Sequence, residues 1–245
     1  MENLAVLKGL VHGARRILAV TGAGISADSG LPTYRGFGGL YEAGPTEEGL
    51  PIEEVLSGSC LTLRPELTWK YLAVIEASCR GKEPNAAHWA LAKAQEWAEV
   101  LVLTQNIDGL HQRAGSKEVI EIHGNLYRLL CLGCGRRQQV PDYGTLALPP
   151  HCPCGALLRP EVVLFGELLP PPKVRSLRAA LREDWDLVLS IGTTSLFPYI
   201  AAVVIEANRR GIPVVEINPG ETQVSHLADH PIRLGAAKAL SVLLD

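Results

Sequence analysis

With 245 residues the chain has room for one large α/β domain, or one such domain carrying a small inserted module. Hydrophobic residues make up 47% and charged residues 20%, which excludes intrinsic disorder and permits an ordinary core. The formal charge of −3 gives no field for nucleic acid or an anionic membrane, no apolar run reaches the roughly 18–20 residues of a bilayer span, and the N-terminus lacks a secretory pattern, so a cytoplasmic protein is expected, with no direct nucleic-acid or membrane partner.

In chain order, a helix is predicted over Leu4–His12 and a strand over Ile17–Val20. The strand runs into Gly22-Ala23-Gly24-Ile25-Ser26-Ala27, a Gly-x-Gly-x-x-Ala turn that would let a dinucleotide phosphate approach bare N–H groups at a helix N-terminus; a tight structural turn is the alternative. A dehydrogenase would carry an acidic residue at the end of its second strand about 20 residues on. Here that region reads Gly38-Gly-Leu-Tyr-Glu-Ala-Gly44 and is no strand, so a dinucleotide would not be held in the dehydrogenase manner. The Gly-, Pro- and Glu-rich stretch Gly36–Leu63 interrupts the pattern before helices over Pro65–Cys79 and Ala86–Glu96.

A strand over Val100–Thr104 precedes Gln105-Asn106-Ile107-Asp108, polar groups at the strand end that lines the crevice of a parallel sheet, although Asn106 or Asp108 could equally cap a helix. The strand-like Glu118–Ile122 ends at His123, whose near-neutral pKa suits a general base, against the commoner structural role of a lone histidine. His12, His88, His111, His226 and His230 are read as structural or surface groups. Within Gly124–Arg159, Cys131-x-x-Cys134 and Cys152-x-Cys154 stand 17 residues apart, each pair followed by glycine. Two such turns bring four thiolates around one Zn²⁺; the closed site leaves no open position for a substrate, so the metal is structural and His151 is a poor alternative ligand. Cys60 and Cys79 read as buried apolar thiols.

The chain then alternates again, with a helix over Val174–Arg182, a strand over Leu187–Ile191, a helix over Tyr199–Arg209, strands over Val214–Ile217 and Ile232–Leu234, and a helix over Ala236–Leu243. Gly211-Ile-Pro213 ends the helix over Tyr199–Arg209 and launches the next strand. This alternation predicts an α/β fold, a Rossmann-like parallel sheet with a smaller inserted zinc-ribbon plus helical module. The larger domain would comprise residues 1–35, 85–123 and 165–245, and the smaller one residues 36–84 and 124–164.

Gly22-Ala-Gly-Ile-Ser-Ala-Asp-Ser-Gly30, Thr33-Tyr-Arg35, Thr104-Gln-Asn-Ile-Asp-Gly-Leu-His111, His123-Gly124, the two cysteine pairs, Pro160–Glu167, Gly192-Thr193 and Ile217-Asn218 follow one another in an order that resembles the sirtuin family, bacterial type. Sirtuins are NAD-dependent protein lysine deacylases, and the resemblance spans essentially the whole chain. It implies that NAD is consumed as co-substrate beside one structural Zn²⁺, with acyl-lysine proteins or peptides entering the cleft from the other side. It further implies that Gly22, Ala23, Gly24, Ser26, Tyr34 and Arg35 line the NAD site, with Gln105 and Asn106 near the nicotinamide ribose and Ile107 and Asp108 at the carboxamide. Gly192, Thr193 and Ser195 would approach the phosphates and adenosine half, with Asn218, Pro219 and Ala236 at its ribose and beyond.

His123 and Asn106 would carry the catalysis. The amide oxygen of acyl-lysine would displace nicotinamide, His123 would deprotonate a ribose hydroxyl, and the products would be lysine, nicotinamide and O-acyl-ADP-ribose. Val163, Phe165, Gly166 and Glu167 resemble the family's peptide-pairing strand, which would hold the substrate by strand addition.

Succinyl- and malonyl-selective sirtuins carry a Tyr-x-x-Arg pair whose positions fall here on Leu72 and Ile75, and Phe37 stands where they have a small residue. Neutral short acyl groups, acetyl first, are therefore expected, with Arg80 as the cation that could fold inward for an acidic one. Tyr34 in place of the family's Phe, and Thr194, Phe197 and Pro198 in the loop after Gly192-Thr193, are departures expected to affect rate or specificity. The alternatives are a protein mono-ADP-ribosyltransferase on the same fold, a desuccinylase or longer-chain deacylase, and a non-enzymatic nucleotide sensor.

Overall fold

The computed structural model describes residues 2–33 and 44–244. Its strands are β1 (Arg16–Thr21), β2 (Glu99–Thr104), β3 (Glu118–Glu121), β4 (Gly124–Cys131), β5 (Arg137–Gln139), β6 (Leu158–Val162), β7 (Leu187–Ile191), β8 (Val214–Ile217) and β9 (His230–Ile232). Six form one sheet in the order β3-β2-β1-β7-β8-β9, and every pairing in it is parallel. A sheet of this kind is covered on both faces, which explains why its central strands are continuous Val, Ile and Leu runs without polar alternation.

On one face, Leu7 and Val11 of α1 (Glu2–Gly13), Leu91 of α5 (Ala86–Ala94) and Leu240 of α9 (Ala236–Leu243) pack on Ile17, Ala19, Val100 and Leu189. On the other, Leu177 of α7 (Pro171–Arg182) and Ile200, Val203 and Val204 of α8 (Pro198–Arg209) cover Leu18, Val20, Leu103 and Val188.

The smaller sheet is antiparallel, in the order β5-β4-β6. Its core joins Leu126 and Leu129 of β4 and Leu158 and Val162 of β6 to Trp69, Leu72 and Ile75 of α4 (Pro65–Cys79). Trp69 is fully buried, and its indole N–H donates to the Leu158 carbonyl at 3.1 Å. Two short helices, α2 (Ile52–Val55) and α3 (Gly58–Leu63), precede α4, and α6 (Leu110–Arg113) follows the polar stretch after β2.

Of the boundaries that depart from expectation, two have a visible cause. The last strand is His230–Ile232, two residues earlier than predicted, because β8 aligns Val215 with His230 and Ile217 with Ile232, and this register leaves Leu234 in the loop before α9. Helix α7 begins at Pro171 instead of Val174; Pro171 and Pro172 occupy its first turn, where a missing N–H costs nothing. The C-terminal ends of β1, β2, β7 and β8 open on one side, and the order reverses between β1 and β7, the position at which open α/β sheets bind ligands.

Candidate active site

At that reversal the turns after β1 and β7 meet backbone to backbone. Gly22 N–H donates to the Ile191 carbonyl at 3.1 Å and Gly24 N–H to the Gly192 carbonyl at 2.9 Å. A Cβ on Gly24 would lie 2.7 Å from Gly192 Cα, and one on Gly192, whose φ is +57°, would lie 2.5 Å from Gly24 C. This corrects the expectation of bare N–H groups at a helix N-terminus. The glycines serve the contact between turns, and the segment that follows, Ala23–Ser29, is a short 3₁₀ helix. Among the described residues the Ala23 N–H alone of the first three in this turn keeps no partner.

Beneath the turn lies a buried polar network. Asn106 Nδ2 donates to the Gly22 carbonyl at 3.1 Å and to Ser26 Oγ at 3.0 Å, and Ser26 Oγ donates to Asp108 Oδ2 at 2.8 Å. Asp108 also accepts from the Leu110 N–H at 2.9 Å, and burial raises its carboxyl above the ordinary range. His111 shares a 2.9 Å hydrogen bond with Thr21 Oγ1 and packs edge-on against His88, and burial holds the two rings down to about 3 and about 4 respectively. His88 also completes the capping box of α5, whose Asn85 side chain reaches back to the Ile25 carbonyl at 2.8 Å. Both histidines are buried and hydrogen-bonded within the protein.

Above this network opens a cavity of about 1350 Å³. Gly22, Ala23, Gly24, Gln105, Asn106, Ile107, His123, Val163, Phe165, Gly166, Glu167, Gly192, Thr193, Asn218, Pro219 and Ala236 all line it. Ser26 and Asp108 line a small adjoining recess with Ala23, Asn106, Ile107, Ile75 and Cys79. Ser195 lines neither; it is buried with φ +54° and its N–H donates to Thr193 Oγ1 at 3.1 Å. Tyr34, Arg35 and Phe37 lie outside the described residues.

His123 stands where β3 gives way to β4. Its Nδ1 is 3.0 Å from the Gln105 carbonyl, which can only accept, so Nδ1 carries the proton and Nε2 presents its lone pair. Nε2 lies 2.6 Å from the hydroxyl of Tyr199, and the two rings meet edge-on. Burial lowers the His123 pKa, with the Gln105 contact pulling the other way, so the ring is a neutral base near pH 7. Tyr199 is the residue that sequence reasoning missed. Its position directly after Pro198, in the first turn of a helix that follows a crevice-forming strand, is the signal that could have found it.

The segment Val163–Glu167 is more committed than a free strand edge. Phe165 N–H donates to the Leu56 carbonyl and its carbonyl accepts from Gly58 N–H, both at 3.0 Å, while Val163 N–H is taken by the His123 carbonyl at 2.9 Å. Leu164 N–H donates to Glu167 Oε2 at 2.9 Å, and Arg159 grips the same carboxylate through both terminal nitrogens. Val163, Leu164 and Phe165 are thus already paired within the protein through their N–H groups. Among its N–H groups only that of Gly166 has no partner within the described residues. Leu56, Leu72, Ile75, Val162 and Leu164 line the same cavity and make this end apolar. Arg80 does not turn inward; its guanidinium is held outside by Glu76, at 3.2 Å from Oε1.

The four cysteines of the two turns converge, with Cys131 and Cys154 Sγ 3.5 Å apart, Cys134 and Cys152 Sγ 3.7 Å apart, and all four within 4.8 Å of one another. A tetrahedron of Zn–S bonds of about 2.3 Å has edges of roughly 3.8 Å, so the thiols fit one Zn²⁺ with no ligand position to spare. The Cys134 N–H, 3.4 Å from Cys131 Sγ, lowers that thiol's pKa, while the neighbouring Cys152 thiol is raised. His151 is exposed and outside the cluster.

A family model described as the Sir2 family matches residues 22–197. NAD-dependent protein deacylase 2 of Pseudomonas syringae pv. tomato is 50% identical over 236 residues, covering 94% of this chain and 95% of the relative. A Sir2 homologue solved as its NAD complex superposes with a TM-score of 0.86 at 34% identity, covering 98% of this chain and 92% of that one. A Sir2 structure with a deacetylated p53 peptide and 3′-O-acetyl ADP ribose gives a TM-score of 0.86 at 30% identity, covering 98% of this chain and 96% of that one.

Proposed function

Because the chain belongs to the Sir2 family and is an NAD-dependent protein deacylase, we propose that His123 is its general base and that one cavity receives NAD and an acyl-lysine peptide together. The observation that carries this reading is the 3.0 Å contact of His123 Nδ1 with the Gln105 carbonyl, which leaves Nε2 as the base, in a cavity lined on one side by the glycine turns and on the other by Val163–Glu167.

About 1350 Å³ exceeds the roughly 300–1,000 Å³ of an ordinary small-molecule pocket, as two substrates require. The residues fit NAD: Thr193, Asn218 and Gln105 supply hydrogen-bonding side chains where the sheet order reverses, and NAD supplies the sugar that leaves nicotinamide and accepts the acyl group. In this reading Asn106 and Asp108, fixed by Ser26 and the Gly22 carbonyl, hold the nicotinamide end in the recess. His123 then takes a proton from a ribose hydroxyl, and its Nδ1–H bond to Gln105 keeps the ring in the tautomer that can do so. The structural zinc keeps the small sheet in place and touches no substrate. Free thiols and a thiolate-bound metal suit a reducing compartment, the cytoplasm.

The acyl group would be neutral. Leu72 and Ile75 line the cavity, and the nearby Arg80 is engaged by Glu76, so a carboxylate there would be buried unpaired at a cost of several kcal/mol. Acetyl-lysine peptide is expected to exceed its succinyl counterpart by about 100-fold in kcat/KM.

The test is mass spectrometry of an acetyl-lysine peptide incubated with and without NAD. Deacetylated peptide, nicotinamide and O-acetyl-ADP-ribose should appear together and only with NAD, and His123→Ala should abolish free lysine while NAD binding persists. Nicotinamide without deacetylated peptide would favour ADP-ribosyl transfer instead, and undiminished lysine release by the variant would remove His123 from the mechanism.

A further inference from the structure

Tyr199 occupies the one atom of His123 that catalysis needs. With Nδ1 committed to Gln105, Nε2 has a single in-plane lone pair, and the Tyr199 hydroxyl donates into it at 2.6 Å. We propose that Tyr199 is a catalytic residue that relays the proton from the ribose hydroxyl to His123, an inference that rests on His123 being the base.

Three observations favour a relay over a hydroxyl that merely fills the place until substrate arrives. Tyr199 is locked: it stands in the first turn of α8 directly after Pro198, and its ring is stacked on Phe197 at 5.4 Å and 15°, while Phe197 itself meets His123 edge-on at 5.5 Å. It lines the cavity with His123, so an incoming hydroxyl reaches both. A phenolic oxygen that donates one hydrogen bond still accepts two others, so substrate can bind it without breaking the bond to Nε2. Burial raises the Tyr199 hydroxyl to about 12, which keeps the relaying proton in place across the physiological range.

In the step, the ribose O–H bond breaks and its proton bonds to the Tyr199 oxygen. The phenolic O–H bond breaks together with it and that proton bonds to Nε2. The ribose oxygen keeps the electron pair with which it attacks, His123 becomes an imidazolium, and Tyr199 ends as it began.

The test uses Tyr199→Phe, which keeps the ring stack and removes one oxygen, beside His123→Ala. In the free protein, ¹⁵N NMR of the imidazole should report a protonated Nδ1 and an unprotonated Nε2 whose resonance moves in Tyr199→Phe. With substrates, Tyr199→Phe should release lysine about 100-fold more slowly while the single-turnover burst of nicotinamide and the Kd for NAD stay within about twofold. A proton inventory in mixed H₂O and D₂O should be curved for the native protein, with two protons in flight, and linear for the variant. Lysine release at the native rate or faster, a loss accounted for by weaker NAD binding, or a proton on Nε2 in the free protein would each overturn the relay. If His123→Ala still releases lysine, the base assignment fails first; if only Tyr199→Phe does, His123 stands and the relay alone falls.

Discussion

The six-stranded sheet is buried on both faces beneath α1, α5 and α9 on one side and α7 and α8 on the other, whereas the β5-β4-β6 sheet has one apolar face against α4 and ends in turns exposed from Leu132 to Arg137. Apolar area removed from water stabilises the first at about 25 cal/mol per Å² without any help. The second is too small to close its ends in that way, and four thiolates around a metal take the place of the missing core. The two regions therefore fail under different insults, and this separates them experimentally.

Removing the metal should have the largest effect, because the binding free energy of a structural zinc, about 10–16 kcal/mol in small domains, is folding free energy. A strong chelator, or Cys152→Ser, should abolish hydrogen-exchange protection in residues 124–164 and deacylation with it, while β1, β2, β7 and β8 stay protected. Uniform loss across both sheets would erase the contrast.

Acid attacks the other region. His88 and His111 titrate at about 4 and about 3 in the folded protein, below the free-histidine value near 6.5, so between those limits the unfolded chain binds protons that the native one does not. Stability of the larger sheet should fall as pH drops below about 6.5, by up to about 1.4 kcal/mol per pH unit for each ring. Asp108, raised by burial, works in the opposite sense at lower pH and offsets part of the loss. Urea melts at pH 7, 6 and 5 should show this slope, and His111→Gln should roughly halve it.

The smallest effect expected is about 1 kcal/mol, for Asn85→Ala, which deletes the α5 cap and its bond to the Ile25 carbonyl. Thermal melts should register it as a modest shift, with activity reduced through the displaced 3₁₀ turn.

What could be read from the chain was whatever is local. Ile17–Val20, Leu187–Ile191 and Val214–Ile217 are apolar runs between turn residues, and the structure leaves them as strands within a residue. The cysteine turns carry their own geometry, and His123 follows its strand in the turn before β4. What could not be read depends on partners distant in sequence. The register that shifts β9 belongs to β8, the N–H groups of Gly22 and Gly24 are consumed by a turn after β7, and Phe165 is claimed by Leu56 and Gly58. Tyr199 looked like an ordinary aromatic at a helix start, because its meaning lies in the direction of one hydroxyl.

The seal between Gly24 and Gly192 bears on how ligands could tell this protein's states apart. Two connections packed backbone to backbone make a floor with no room for a side chain, since a Cβ on either glycine meets main-chain atoms at 2.5–2.8 Å. The rim around Leu56, Leu72 and Phe165 is built instead of side chains from separate elements, which can repack. A compound anchored on the floor would meet the same contour whichever acyl chain is bound, and one wedged into the rim would compete with some acyl groups and spare others.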